Sequence, residues 1–258
     1  MIRGLLALLG CLALSACGAA GSGSCALLAS CGVGPAQTSL TVFAAASLQP
    51  AFDKIGARLV ETSNVKTTFS YAGTQTLTSQ LTQGAEADVF ASADAAHMTT
   101  LETAGLLNGP AKIFAHNWLE IVVAKGNPKG ISGLADLARP GLVVVLADPS
   151  VPAGKYAQQA LSKAHVTVHP ASLELQVTGV LTKVQLGEAD AGIVYASDIF
   201  TSTGVEGVPI AVNQNVLADY PIAALKSSAH PAGARAFIDL VLSPEGQGML
   251  KAAGFLGV

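Results

Sequence analysis

From residue 40 onward, short apolar segments alternate with segments whose apolar residues recur every three or four positions, and this alternation constrains the fold most. Residues 40–44 form the first apolar segment, and Leu48, Phe52 and Ile55 in the next stretch share one helical face. Further apolar segments that predict strands cover residues 65–71, 88–92, 118–124, 142–147, 166–168, 191–195 and 220–225. Strands separated by helices predict an α/β fold with mainly parallel sheets.

The N-terminus has the pattern of an export signal. Arg3 precedes an apolar run over residues 5–14, which is too short to span a membrane and is typical of a secretory signal peptide. The run ends in Leu14-Ser15-Ala16-Cys17, which resembles a bacterial lipobox. The pattern therefore predicts a signal peptide over residues 1–16, followed by secretion across the cytoplasmic membrane and lipid anchoring through Cys17.

The remaining cysteines lie in a predicted tether over residues 17–39, which is rich in Gly, Ser and Ala. Cys31 ends a second lipobox-like sequence and is the alternative anchor. Cys17 is preferred because it directly follows the hydrophobic run. No cysteine follows Cys31, so the folded body needs no disulfide, and a bridge between Cys25 and Cys31 is left open.

Charge limits the classes of partner. The net charge is −3, and no run of basic residues is present that could neutralise successive phosphates, which argues against nucleic-acid binding. An anionic ligand is still compatible with this charge, because a local site can be positive while the whole protein is not. His165 and His169 are interpreted as surface histidines, and no residues are predicted to coordinate a cation directly.

Three residues fall at junctions that lead into helices. Ser47 follows the first strand and is predicted to be a helix N-cap, Thr74 follows a turn after the second strand, and Ala153 begins a helix after another strand. In open α/β sheets, ligands lie at the carboxyl ends of the strands, where helix N-termini point. These positions predict a shared site for an anion.

Five segments resemble, in order, the signature segments of the molybdate-binding proteins of bacterial ABC importers. Each segment alone is a weak match, but together they are specific and cover most of the chain from residue 40 to the end. The segments are residues 42–48, 71–77, 87–94, 148–154 and 192–198.

The resemblance implies a periplasmic-binding-protein-like fold, in which two α/β lobes enclose a ligand cleft. It places lobe 1 at residues 40–117 and 226–258, and lobe 2 at residues 118–225, with chain crossings near Trp118 and Tyr220. The implied protein is a monomer without a cofactor, which closes on its ligand by a hinge motion and docks on a membrane permease.

The resemblance also implies the ligand contacts. They are the hydroxyls of Ser47, Thr74 and Tyr195 and the backbone N–H groups of Ala153 and Val177. The family usually has Ser where this chain has Thr74, which keeps the hydroxyl but adds a methyl group. Fixed neutral donors suit a fully deprotonated tetrahedral oxyanion, so molybdate and tungstate are the expected ligands.

One alternative keeps the binding-protein class but changes the ligand to sulfate, phosphate or an organic acid. Binding of an organic acid generally needs a cation for the carboxylate, typically arginine. Arg58, Arg139 and Arg235 lie outside the five segments, so an organic-acid ligand is disfavoured.

The second alternative is a serine hydrolase. Ser47, Asp198 and His230 follow one another in the chain order of an α/β-hydrolase. The sequence around Ser47, Ala-Ala-Ser-Leu-Gln, lacks the glycines of the G-x-S-x-G turn, so the protein is not predicted to be an enzyme.

Overall fold

The structure, a computed structural model, describes residues 37–258. The predicted signal peptide, the predicted lipidation site Cys17 and the cysteines Cys25 and Cys31 lie outside the described residues. Within residues 37–258, no helix is both long and apolar enough to cross a membrane.

The chain builds one sheet, crosses to a second sheet, and returns to the first. The elements before the first crossing are β1 (Thr38–Ala45), α1 (Gln49–Ser63), β2 (Val65–Ala72), α2 (Thr74–Thr82), β3 (Val89–Ala91), α3 (Ala95–Thr103) and β4 (Lys112–Asn117). The elements of the second part are β5 (Leu119–Ala124), β6 (Val144–Ala147), α4 (Pro152–Lys163), β7 (Ser172–Glu174), α5 (Val177–Gln185), β8 (Ala191–Tyr195), α6 (Ala196–Phe200) and β9 (Val205–Pro209). The last elements are β10 (Ala218–Ala224), α7 (Pro231–Leu242) and α8 (Pro244–Lys251).

Both sheets have five strands and follow the same plan. The first sheet has the order β2-β1-β3-β10-β4, and the second has the order β7-β6-β8-β5-β9. In each sheet the first three strands are parallel, and the fourth is antiparallel to both of its neighbours. The predicted α/β class with two lobes is confirmed, and the sheets are mainly parallel with one reversed strand each.

The reversed strands are those that follow a crossing. Only Trp118 separates β4 from β5, while residues 210–217 lead from β9 back to β10. Asn215 joins the two crossing segments, because its side chain accepts a hydrogen bond from the Leu119 N–H (3.2 Å) and donates one to the Leu119 carbonyl (2.9 Å). The contact fixes the two segments side by side.

Strand β10 belongs to the first sheet, whereas the predicted boundary at residue 225 assigned it to lobe 2. β10 pairs with β3 and β4 in the first sheet, so the return crossing comes before residue 218. An apolar run predicts a strand but does not specify which sheet the strand joins. The prediction therefore placed this strand on the wrong side of the boundary.

Helices cover both faces of the first sheet. Helices α1, α7 and α8 pack on one face around Phe52, whose ring contacts the rings of Phe69, Phe114 and Phe237 at centroid distances of 5.4–6.1 Å. Helices α2 and α3 pack on the other face, where Leu77, Phe90, Leu101 and others form a second cluster. The carboxyl ends of the strands are thereby held in fixed positions.

The predicted strand over residues 166–168 is wrong, since these residues follow α4 without regular structure. The strand here is β7, whose Ser172 pairs with Val145 in β6. Pro170 separates the two segments, and a proline cannot donate to a ladder. Strands β4 and β9 were not predicted, because their short sequences mix apolar with polar residues.

Candidate functional site

The carboxyl ends of three parallel strands in each sheet meet at a small cavity. Strands β1, β2 and β3 lead to its walls from the first sheet, and β6, β7 and β8 from the second. All five residues predicted to contact the ligand line this cavity, namely Ser47, Thr74, Ala153, Val177 and Tyr195. Its free volume is about 10 Å³, close to that of one water-sized sphere, so the walls lie close together. None of its lining residues carries a charged side chain.

Ser47 is buried at the end of β1, but its role there differs from the prediction. It lies within a 3-10 turn over Ala46–Leu48, and the N-cap of α1 is Leu48. Ser47 was therefore wrongly predicted to be the N-cap, because the extra turn moves the start of α1 to Gln49. Its hydroxyl instead hydrogen-bonds the hydroxyl of Tyr220, with 3.1 Å between the oxygens.

Thr74 is the first residue of α2 and is 1% exposed. Its hydroxyl oxygen accepts a hydrogen bond from the backbone N–H of Ala93, at 3.2 Å. A hydroxyl has one proton and two lone pairs, so this bond leaves the proton of Thr74 free for another acceptor. Thr74 thus keeps its capacity to donate into the cavity.

Gly73, which precedes Thr74, brings the two walls together. A Cβ atom on Gly73 would clash with the carbonyl oxygen of Leu175, which lies just before α5. The Gln75 side chain donates a hydrogen bond to the same oxygen, at 2.8 Å. The close approach of α2 to the segment before α5 therefore requires glycine at this position.

The N-termini of two helices from the second part of the chain, α4 and α5, form part of the cavity wall. Ala153 is the second residue of α4, after Pro152, and Val177 is the first residue of α5. Neither helix has a side-chain cap. The first N–H groups of a helix have no acceptor within it and carry a partial positive charge, so both ends favour an anion.

Tyr195 ends β8 and is 1% exposed. Its buried hydroxyl lies near that of Tyr220, but within the described part of the chain it makes no hydrogen bond of favourable geometry. Burial raises the pKa of Tyr195 well above its usual range, so the phenol keeps its proton and is a donor. An unpaired buried donor costs about 1–3 kcal/mol, which a ligand acceptor in the cavity would offset.

The hydrolase arrangement is not assembled by these residues. Ser47 hydrogen-bonds Tyr220, the Asp198 carboxylate accepts from the backbone N–H of Tyr195, and the backbone N–H of His230 donates to Asp88. The site instead offers three hydroxyls and two helix N-termini to one small space. Such a site can bind a dehydrated anion, and among residues 37–258 no general base hydrogen-bonds Ser47.

Sequence reasoning missed two buried residues behind the cavity, Tyr220 and Asn117. Tyr220 was considered only as a crossing point, and Asn117, whose amide donates to the Ser197 hydroxyl at 2.7 Å, was not considered at all. Their partners are 173 and 80 residues away in the chain. No local spacing can indicate such contacts.

Comparisons with known proteins agree with this geometry. A family model described as a bacterial extracellular solute-binding protein matches residues 40–256. Over 231 residues the chain is 46% identical to the molybdate-binding protein ModA of Mycobacterium tuberculosis (strain ATCC 25618 / H37Rv), which covers 88% of each protein.

Two solved structures show the same architecture. A substrate binding domain from Clostridium difficile, assigned to a molybdenum ABC transporter, is 31% identical and has a TM-score of 0.66 over 86% of this chain and 99% of that chain. The sulfate-binding protein SubI from Mycobacterium tuberculosis H37Rv is 21% identical, with a TM-score of 0.79 over 86% of this chain and 87% of that one. The second likeness concerns the fold alone.

Asp198 makes the stability of the protein depend on pH. Burial raises the pKa of its carboxyl to about 7, although the hydrogen bond from the Tyr195 N–H partly opposes this. The pKa of an unfolded aspartate is about 3.9. Because the folded state holds this proton more tightly, the contribution of Asp198 to stability is largest below pH 4 and falls as pH rises through about 7.

We therefore predict that Asp198→Asn, whose amide oxygen can accept the same hydrogen bond, loses less stability than the wild type between pH 5 and pH 8. The free energy of unfolding is measured by urea denaturation at both pH values. Asp239→Asn, at an exposed position of α7, is the control and should follow the wild type. Equal pH dependence of the wild type and Asp198→Asn would contradict the prediction.

Proposed function

Because the chain belongs to the bacterial extracellular solute-binding proteins, and within them to the molybdate-binding proteins of ABC transporters, we propose that its cavity captures molybdate through five neutral donors. The donors are the hydroxyls of Ser47, Thr74 and Tyr195 and the backbone N–H groups of Ala153 and Val177. Tungstate has the same charge and shape, and we include it among the ligands.

The buried hydroxyl of Tyr195 is the observation that carries the proposal. It is a protonated donor that lines the cavity and has no partner among the described residues. Hydrogen bonds to a charged group contribute about 1.5–3 kcal/mol each. Several of them, less the cost of ordering and closure, suffice for micromolar binding, which corresponds to about −8 kcal/mol.

Donors without acceptors also select the protonation state of the ligand. A hydrogen phosphate ion carries a proton that would find no acceptor among the five groups, and an unpaired buried proton disfavours binding. Sulfate is fully deprotonated as well, so its exclusion depends on the size of the cavity. A sulfate binder is therefore the second candidate, and the fold shared with SubI is compatible with both.

We further propose that the two sheets form the cores of two lobes that close on the anion by a hinge motion. The contact of Asn215 with Leu119, which joins the crossing segments, supports a hinge there. Lobe 1 is residues 40–117 with the C-terminal part, now beginning at β10 instead of residue 226, and lobe 2 lies between. The closed monomer would deliver its ligand to a membrane permease.

Titration calorimetry with molybdate, tungstate, sulfate and phosphate tests the proposed ligand directly. We expect one-to-one binding of molybdate and tungstate at micromolar dissociation constants or tighter, with sulfate at least tenfold weaker and phosphate silent. Preference for sulfate would replace the ligand and keep the site. Absence of binding for all four anions would refute the proposal.

Tyr195→Phe tests the central contact. The variant keeps the ring but loses one charge-assisted donor, so molybdate affinity should fall about 10- to 100-fold, as a loss of roughly 1–3 kcal/mol implies. Tyr71→Phe is the matched control, because the Tyr71 hydroxyl donates to Asp53 (2.8 Å) and does not line the cavity. An unchanged affinity of Tyr195→Phe in calorimetry would remove Tyr195 from the site.

Lipid anchoring at Cys17 is a proposal that rests on the sequence alone. We expect Cys17→Ser to move the protein from the membrane fraction to the soluble extracytoplasmic fraction, since one residue carries the lipid. Cys31→Ser is the control and should stay with the membrane. Fractionation and immunoblotting distinguish the two, and the opposite pattern would assign the anchor to Cys31.

A further inference from the structure

Tyr220 lies directly behind the cavity without lining it. It belongs to β10, is 0% exposed, and its hydroxyl lies 3.1 Å from the hydroxyl oxygen of Ser47. The ring also packs edge-to-face on Tyr195, with 5.6 Å between centroids. One side chain therefore contacts two proposed ligand donors, one from each part of the chain.

The direction of the hydrogen bond between Tyr220 and Ser47 decides whether Ser47 can bind an anion. Ser47 has a single hydroxyl proton and two lone pairs. If Ser47 donated to Tyr220, only lone pairs would face the cavity, and these repel an oxyanion. When Tyr220 donates instead, the proton of Ser47 is free for the ligand.

The chemistry of the two hydroxyls favours Tyr220 as the donor. Both groups are protonated, and a phenol is a stronger acid than an aliphatic alcohol, so it is the better hydrogen-bond donor of the pair. Thr74 has the same arrangement, since its oxygen accepts from the Ala93 N–H and its proton remains free. With Tyr220 as the donor, both hydroxyls from the first sheet have a lone pair occupied from behind by a protein donor.

We propose that Tyr220 is a positioning residue that donates its hydroxyl proton to Ser47 and thereby turns the proton of Ser47 toward the bound oxyanion. The inference rests on the proposed function, because it needs an anion that accepts from Ser47. Tyr220 itself does not contact the ligand.

Removal of the Tyr220 hydroxyl should leave the ring in place. Phe114 and Phe255 pack edge-to-face on it at centroid distances of 6.3 Å and 5.3 Å. Tyr220→Phe keeps these contacts, so the variant is expected to fold, and thermal unfolding checks this. The substitution therefore keeps the ring and removes the hydroxyl, which lies beside Asn117 and Tyr195 as well as Ser47.

A double-mutant cycle on the full chain separates positioning from packing. Molybdate dissociation constants are measured by calorimetry for the wild type, Ser47→Ala, Tyr220→Phe and the double variant. We expect Tyr220→Phe to weaken binding about 3- to 10-fold in the wild-type background, as loss of one neutral hydrogen bond implies. In the Ser47→Ala background the same change should alter affinity less than twofold, because no hydroxyl is left to position. Tyr71→Phe should have no effect in either background.

Three outcomes would overturn the inference while the wild type still binds molybdate. The first is an equal loss of molybdate affinity from Tyr220→Phe in both backgrounds, which would mean that Tyr220 acts by packing. The second is an unchanged affinity of Tyr220→Phe, and the third is an unchanged affinity of Ser47→Ala. Failure of the wild-type protein to bind molybdate would instead refute the proposed function. The wild-type titration thus distinguishes the two failures.

Discussion

The structure depends on one constraint: buried hydrogen-bond donors at the meeting point of the two sheets need an acceptor. The hydroxyl of Tyr195 has none among the described residues, and the helices that begin at Pro152 and Val177 have no side-chain caps. Unsatisfied buried donors destabilise a folded protein. A tetrahedral dianion supplies acceptors in several directions at once, so it satisfies donors from both sheets together. In the proposed function, binding and closure are in this sense one event.

The proposed donors are neutral and fixed, which suits them to one anion geometry. A cationic side chain would attract anions of any shape, whereas hydroxyls and helix N-termini held at strand ends favour a specific geometry. The matching plan of the two sheets makes this possible, since three parallel strands in each point their carboxyl ends at the same space. The net charge of −3 has little influence on a site that is shielded from solvent and governed by local dipoles.

The alternation of strands and helices was sufficient to predict the α/β class, and the junction residues Ser47, Thr74 and Ala153, which were expected to share one site, all line the same cavity. Prediction failed where the outcome depends on contacts between distant segments. The sheet that β10 joins and the strand at Ser172 are determined by pairing partners, which periodicity does not reveal. Ser47 was given a capping role because the 3-10 turn after β1 has no distinct local signal.

The same limit explains why Gly73 and Tyr220 escaped notice. Gly73 is needed because the Leu175 carbonyl, about a hundred residues later, comes close to its Cα. Tyr220 approaches Ser47 only because β10 returns from the second sheet and inserts beside β3. That return is also what separates the two lobes in the chain. The crossing at which we propose the hinge therefore also delivers a side chain to the back of the proposed site, and one strand links the two.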